Sequence, residues 1–264
     1  MLMEVKKELK LVFFSIKYAL IREMLNKVTF FSNIIIMILN NASFIVQWIV
    51  LYRVKNDVGG YDFSQIILLW GLASFSFGIS HFFFKRAYKL SNTITDGSLD
   101  NYLIQPKNVL LSAITSDVEV SAIGDMLYGI IIFFFSKVSI KLFPLYILFS
   151  ITSGLIITSI AVIYGSLSFW FTNSEQVSDR INGTITSFAT YPEGIFSGFV
   201  KVILYTVIPV GLISYLPIQV ITSFNVFTLL IVIGITLLLI LLSFFIFNRG
   251  LKRYSSSNLM VARI

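Results

Sequence analysis

Asp117, Glu119 and Asp125 are three carboxylates close together in apolar sequence, the raw material for a proton relay or a cation site. Helical geometry keeps them apart: at about 100° per residue, Glu119 lies about 160° around the axis from Asp117, and Asp125 about 120° from Glu119. One helix cannot converge them on a metal. If the membrane portion begins near Val118, only Asp125 needs a buried partner, and the sequence does not name one. His81 is the sole histidine and cysteine is absent, so neither a metal-ligand cluster nor a nucleophile with its base can be assembled. An imidazole near the end of a helix is better suited to anchoring on a free carbonyl. The chain also lacks a G-x-x-x-x-G-K-[ST] phosphate loop, so any use of ATP must come from another subunit.

A second polar set lies in the first apolar stretch, where Asn33, Asn40 and Gln47 recur at a spacing of seven. That spacing keeps them on nearly one helix face with a small drift. Polar side chains at membrane depth face protein or water rather than lipid. The stripe therefore fits either a substrate path or permease seam, or plain interhelical hydrogen bonding, which is the simpler reading. In the next apolar stretch Gly71, Ser74 and Gly78 form a small-residue face suited to close helix packing.

The elements that must hold these residues are membrane helices. Of 264 residues, 56% are hydrophobic and only 12% charged, with mean hydropathy +0.87. These values describe an integral membrane protein rather than a soluble domain. Six stretches are long and apolar enough to cross as helices: 28–52, 63–84, a segment within 109–135, 142–171, 195–215 and 226–247. The expectation is an all-α protein with six transmembrane helices in one domain, 28–250. Residues 1–27 precede it as an amphipathic interfacial helix, and 251–264 follow as a cytosolic tail.

The net charge of +7 is not a nucleic-acid footprint, because the basic residues cluster beside apolar spans. With the N-terminus inside, Lys85, Arg86, Lys89, Lys107, Arg180, Arg249, Lys252, Arg253, Arg263 and the basic residues from Lys6 through Lys27 are cytosolic. Only Arg53, Lys55, Lys137 and Lys141 are outside, and Lys201 snorkels from the fifth span toward the cytosolic interface. Both termini are then cytosolic. In the N-terminal segment Val5, Leu9, Val12, Phe13, Ile16 and Leu20 form one apolar face, as a helix lying among lipid headgroups requires. Lys17 interrupts its apolar run and no small-residue cleavage pattern follows, so it does not read as a cleavable leader.

Between the second and third spans stands a polar island, ITDGSLDNYLIQP. Gly97 permits a tight turn, Ser98 can cap, Asp100 suits a first helical turn and Pro106 stops it. Leu99, Tyr102 and Leu103, at i, i+3 and i+4, share a face. The element is either a lever that a separate protein grips or a surface helix that joins two spans.

The pattern D-G-x-L-D-x-Y-L-x-x-P, carried by Asp96, Gly97, Leu99, Asp100, Tyr102, Leu103 and Pro106, resembles the signature loop of ABC-2 type permeases. The Tyr191-Pro192 pair, Pro209, and Tyr215-x-Pro217 resemble the fifth-span region of a bacterial six-span subfamily, which works beside a second permease and a separate ATP-binding subunit. The resemblance implies the membrane subunit of an exporter in the bacterial plasma membrane, not itself an enzyme. ATP and Mg would be carried by two copies of a partner ATPase, and the second permease would be another copy or a sister chain. It implies that 96–106 is a coupling helix, with Leu99, Tyr102 and Leu103 gripped by the ATPase and Asp96 and Asp100 facing its basic residues. The cargo is open, and the alternative is an ion-coupled carrier using Asp125.

Overall fold

The computed structural model describes residues 2–105, 107–171 and 174–256. Pro106, at the end of the polar island, and Arg263 lie outside the described residues. All long elements among them are helices: α1 (Leu2–Glu23), α2 (Lys27–Tyr52), α3 (Phe63–Phe84), α4 (Leu90–Thr95), α5 (Asp100–Leu103) and α6 (Val109–Ile114) in the first half. There follow α7 (Ser121–Phe133), α8 (Phe143–Ser166), α9 (Ser174–Phe188), α10 (Gly198–Thr206), α11 (Leu216–Thr222) and α12 (Val226–Leu251). Side-chain caps mark where chains turn into helices. Asn26, Asp62, Asn108 and Asn225 each accept a backbone N–H of the first turn, and Gln65 returns the bond to Asp62.

Four helices are long and apolar enough to cross a membrane: α2, α3 with its extension to Thr95, the run 140–169 containing α8, and α12. They answer to the first, second, fourth and sixth expected spans. α3 and α8 are mostly buried inside the chain, whereas α2 and α12 expose most of their apolar side chains, including Ile36, Leu39, Leu237 and Leu241, as lipid-facing helices do.

The third expected span is shorter, because α7 has 13 residues and so rises only about 20 Å. Its flanks extend it along α3. Antiparallel to α3, the segment runs from Val118, whose carbonyl accepts from Lys85 Nζ at 3.2 Å, to Ser136, whose carbonyl accepts from Ser64 Oγ. Close contact along this seam depends on missing side chains. A Cβ on Gly129 would lie 2.6 Å from Phe75 Cβ and 2.8 Å from the Gly71 carbonyl, and one on Gly78 would lie 2.8 Å from the Met126 nitrogen. The small-residue face expected of α3 is therefore packed against α7. On the other flank α8 runs parallel to α3: Tyr146 stacks on Phe75, Gly154 meets the Ser76 carbonyl, and Thr158 and Ser80 hydroxyls are 2.6 Å apart.

The fifth expected span is corrected. Residues 195–215 do not form one crossing helix; α10 and the run 211–222 meet at a 75° bend. Pro209, which has no N–H to donate, sits at the break, and a π-helical turn, Gly211–Tyr215, follows. Both arms open at the end of the bundle that holds the α2–α3 loop. Gly194 packs against Gly59 before α10 begins, and α12 starts just after α11 and finishes at the α1 end, where Phe247 meets Phe169. Lys201 pairs with Glu193 at 2.7 Å on that loop side.

The helix that does run between the two ends here is α9. It starts at the α1 end, where Asn92 Nδ2 donates to Glu175 and Ser168 and Ser174 hydroxyls are 2.6 Å apart. It finishes at Phe188, and the chain just after it places Tyr191 against Trp48 and Gly194 against Gly59. Arg180, expected in a cytosolic loop, is on this helix.

Close α3–α7 packing makes a specific demand. Gly129→Ala should lower the thermal midpoint of the detergent-purified protein by the equivalent of about 1–3 kcal/mol, the usual cost of overpacking. Gly234→Ala, whose Cβ would meet nothing within 4 Å, should leave it unchanged. Equal midpoints for the two variants would refute the seam.

Candidate functional site

Two places gather the residues singled out by sequence: the turn between α4 and α6, and a cavity bounded by α2, α3, α7 and α9.

At the turn, α4 ends at Asp96 and Gly97 takes φ of 78°, the left-handed region that glycine enters without strain. Asp96 Oδ1 accepts from the Ser98 nitrogen at 2.9 Å, and the Leu99 nitrogen returns to the Thr93 carbonyl at 3.0 Å. The chain thereby reverses, and α5 is a single turn of four residues. Ser98 does not cap it; its hydroxyl reaches back to the Thr93 carbonyl.

The face expected to be gripped is divided by this geometry. Leu99 is fully buried among Leu90, Ile94, Leu110, Ile114 and Phe247, so it anchors the turn instead of offering itself to a partner. Tyr102 is half-buried, its hydroxyl 2.9 Å from Ser116 Oγ. Leu103 is 41% exposed and Ile104, which the sequence reading passed over, is 86% exposed. The apolar tip is therefore Leu103–Ile104. Asp100 accepts from Ser256 Oγ, and Tyr254 donates to the Gly97 carbonyl at 3.1 Å, so the segment after α12 straps the turn. Burial, reinforced by the Asp100 carboxylate, pushes the Tyr254 phenol above its ordinary range, and it keeps the proton it donates.

Next to the turn, charges fasten α1 to the bundle. Arg22 pairs with Asp117, Lys85 with Glu119 at 3.3 Å and with Asp117 at 3.8 Å, while Ser15 Oγ donates to the Thr115 carbonyl. Asp117 and Glu119 precede α7 in non-helical chain and share Lys85, whereas Asp125 is on α7 and has no basic partner among the described residues. His81 Nδ1 lies 2.9 Å from the Phe77 carbonyl, and its ring stacks on Tyr88.

The cavity encloses about 620 Å³. Asp125, whose partner the sequence could not name, accepts from Asn41 Nδ2 at 2.6 Å. Asn41 belongs to the buried stripe of α2 with Ile34, Ile45 and Trp48, a signal available in the spacing but masked by its polar neighbour Asn40. Asn40 and Gln47 line the cavity and are exposed at its rim; Asn33 is half-buried and outside it. None of these three amides makes a side-chain hydrogen bond to another described helix, so bonding within the chain does not explain the stripe. Thr186 and Ser187 of α9, with Thr190 just after it, form the facing wall. Along the same helix Gln176, Asp179, Arg180, Gly183, Thr186 and Ser187 are exposed, a polar stripe at helical spacing.

A family described as ABC-2 family transporter protein matches residues 34–258. No curated protein and no solved structure matches.

Truncating the buried anchor and the exposed tip should have different consequences. Leu99→Ala should cost about 2–5 kcal/mol of stability by cavity formation, and Ile104→Ala less than about 0.5 kcal/mol, read from thermal or denaturant unfolding in detergent. Comparable losses would mean that Ile104 is packed rather than free.

Proposed function

The chain belongs to the ABC-2 family of transporter proteins, and from that premise we propose that it is the permease subunit of an ATP-driven exporter moved by a separate ATPase. The family places it as a multi-pass membrane component of an ABC transporter and implies a partner ATP-binding subunit. The ion-coupled carrier built on Asp125 gains nothing from the match. The observation that carries the coupling reading is the Leu103–Ile104 tip, an exposed apolar pair on a turn anchored by Leu99 and strapped by Tyr254. A rigid base with an exposed knob transmits a push; a loose loop would absorb it.

In this reading the α1 end is cytosolic, because it carries Arg22, Lys85, Arg86, Lys89, Arg249 and Lys252, while the opposite end has few basic residues. Six crossings, α2, α3, α7, α8, α9 and α12, return both termini to the cytosol, and α10 with α11 forms a hairpin re-entering from outside. The N-terminal residues through 27 lie on the cytosolic membrane surface, 28–250 is one membrane domain and 251–264 is a cytosolic tail. Two copies of the ATPase bind ATP and Mg, grip the tip and Tyr102, and approach Asp96 and Asp100.

The polar stripe of α9 supports a second permease, a copy or a sister chain. Asp179 and Arg180 pair with no described residue, and unpaired charges at membrane depth face protein or water, not lipid. Asn40 and Gln47 lie beside that stripe, on the wall of the translocation path, with Asn33 continuing it. The bacterial plasma membrane is the setting.

Native mass spectrometry of the protein purified from its own host should show two ATPase copies, lost in the Leu103→Asp/Ile104→Asp variant while the thermal midpoint is kept. An ATPase retained by that variant would refute coupling through the tip. Because the chain has no cysteine, single cysteines report topology cleanly. Cysteine at Lys137 or Lys201 should react with an impermeant maleimide in intact cells, and at Lys107 or Lys252 only after permeabilisation. Protection of the Lys201 position in intact cells would overturn the outward-opening hairpin.

A further inference from the structure

We propose that the cavity between α2, α3, α7 and α9 binds an amphipathic organic cation, held by the Asp125 carboxylate and by the aromatic walls of Phe44, Trp48, Trp70 and Tyr191. The inference rests on the permease reading and names the substrate class of its path.

Size comes first. A cavity of about 620 Å³ falls within the roughly 300–1,000 Å³ that small organic ligands occupy, and it is much larger than a hydrated ion needs. Its wall is chiefly apolar and aromatic: Phe44 stacks on Trp70 with ring centroids 5.3 Å apart, and Trp48 meets Tyr191 edge-on at 5.9 Å. Aromatic faces carry negative electrostatic potential, so a desolvated cation is attracted to them.

Charge selects next. Of the two acids on the cavity wall, Glu119 is neutralised by Lys85 at 3.3 Å, but Asp125 has only the uncharged Asn41 amide. No lysine or arginine lines the space. An anion would be repelled by Asp125, and a neutral apolar guest would leave it without a countercharge. A metal ion would find one carboxylate where it needs several ligands, and no group of three or more such residues exists among the described residues.

Entry is provided by the rim, where Asn40 and Gln47 are exposed beside the polar stripe of α9.

The test uses the full chain purified in detergent, with its ATPase where that subunit accompanies it. Tetraphenylphosphonium and tetraphenylborate have the same shape and opposite charge, and tryptophan quenching reads both. Saturable binding of the cation, with the anion roughly tenfold weaker or worse, is the expected result. Asp125→Asn should abolish the preference. Since that change touches a buried pair, Asn40→Lys at the exposed rim supplies a variant that leaves the Asp125–Asn41 bond intact and should weaken the cation alone. Equal binding of the two ions, or an unchanged preference in both variants, overturns the proposal and marks the cavity as an apolar pocket for lipid or detergent. No preference in the unaltered protein, with the ATPase still bound, refutes this site alone. Preference retained by a protein that never binds an ATPase upholds the site and refutes the subunit reading.

Discussion

Hydrocarbon offers helices no hydrophobic reason to associate, so a membrane bundle is held by close backbone approach and by the few polar contacts it can bury. In this chain the approach is concentrated between α3 and α7, where Gly71, Gly78 and Gly129 remove the side chains that would hold the backbones apart. The other contacts follow from it. α8 lies along the opposite flank of α3, and α2 reaches α7 closely enough for Gly124 to face the Ile34 carbonyl and for Asn41 to meet Asp125. The cavity is the space left where α2 leans toward α7 but α9 stands off.

The same seam fixes the turn on the α1 end. α3 and α7 are antiparallel neighbours, so the chain joining them must double back within the footprint of the bundle. It does so by burying Leu99 beneath α8 and α12 and leaving Leu103 and Ile104 outside. Tyr254 and Ser256 then tie the turn to the end of α12, while Arg22 ties α1, and Lys85 the end of α3, to the acids before α7. Force applied at the tip meets α3, α7, α8 and α12 together.

Much of this was legible in the sequence, and the misses share a cause. Hydropathy found α2, α3, α8 and α12, because helices bathed in lipid or buried in protein must be apolar over their full length. It finds the apolar residues of 195–215 but not the 75° bend between α10 and the run 211–222, and on the six-crossing reading it passes over α9, which has a polar face. The seven-residue spacing puts Asn40 and Gln47 on nearly one face of α2, and both line the cavity. It could not find the Asn41–Asp125 bond, since contact between helices far apart in the chain leaves no mark in the period of either. At the turn, four helical residues are too few to fix a phase, so the spacing puts the buried Leu99 on the exposed face and leaves the exposed Ile104 out.

The polarity of α9 bears on how such a chain is made. Helices leave the insertion machinery by partitioning sideways into lipid, and that step favours segments like α12 and disfavours one carrying Glu175, Asp179 and Arg180. On the six-crossing reading α9 enters the membrane only when sheltered, and α8, emerging just before it, together with the apolar hairpin just after, provides that shelter. Biogenesis would then proceed by helical groups rather than one helix at a time, with the stripe of α9 kept from lipid until a second permease arrives to cover it.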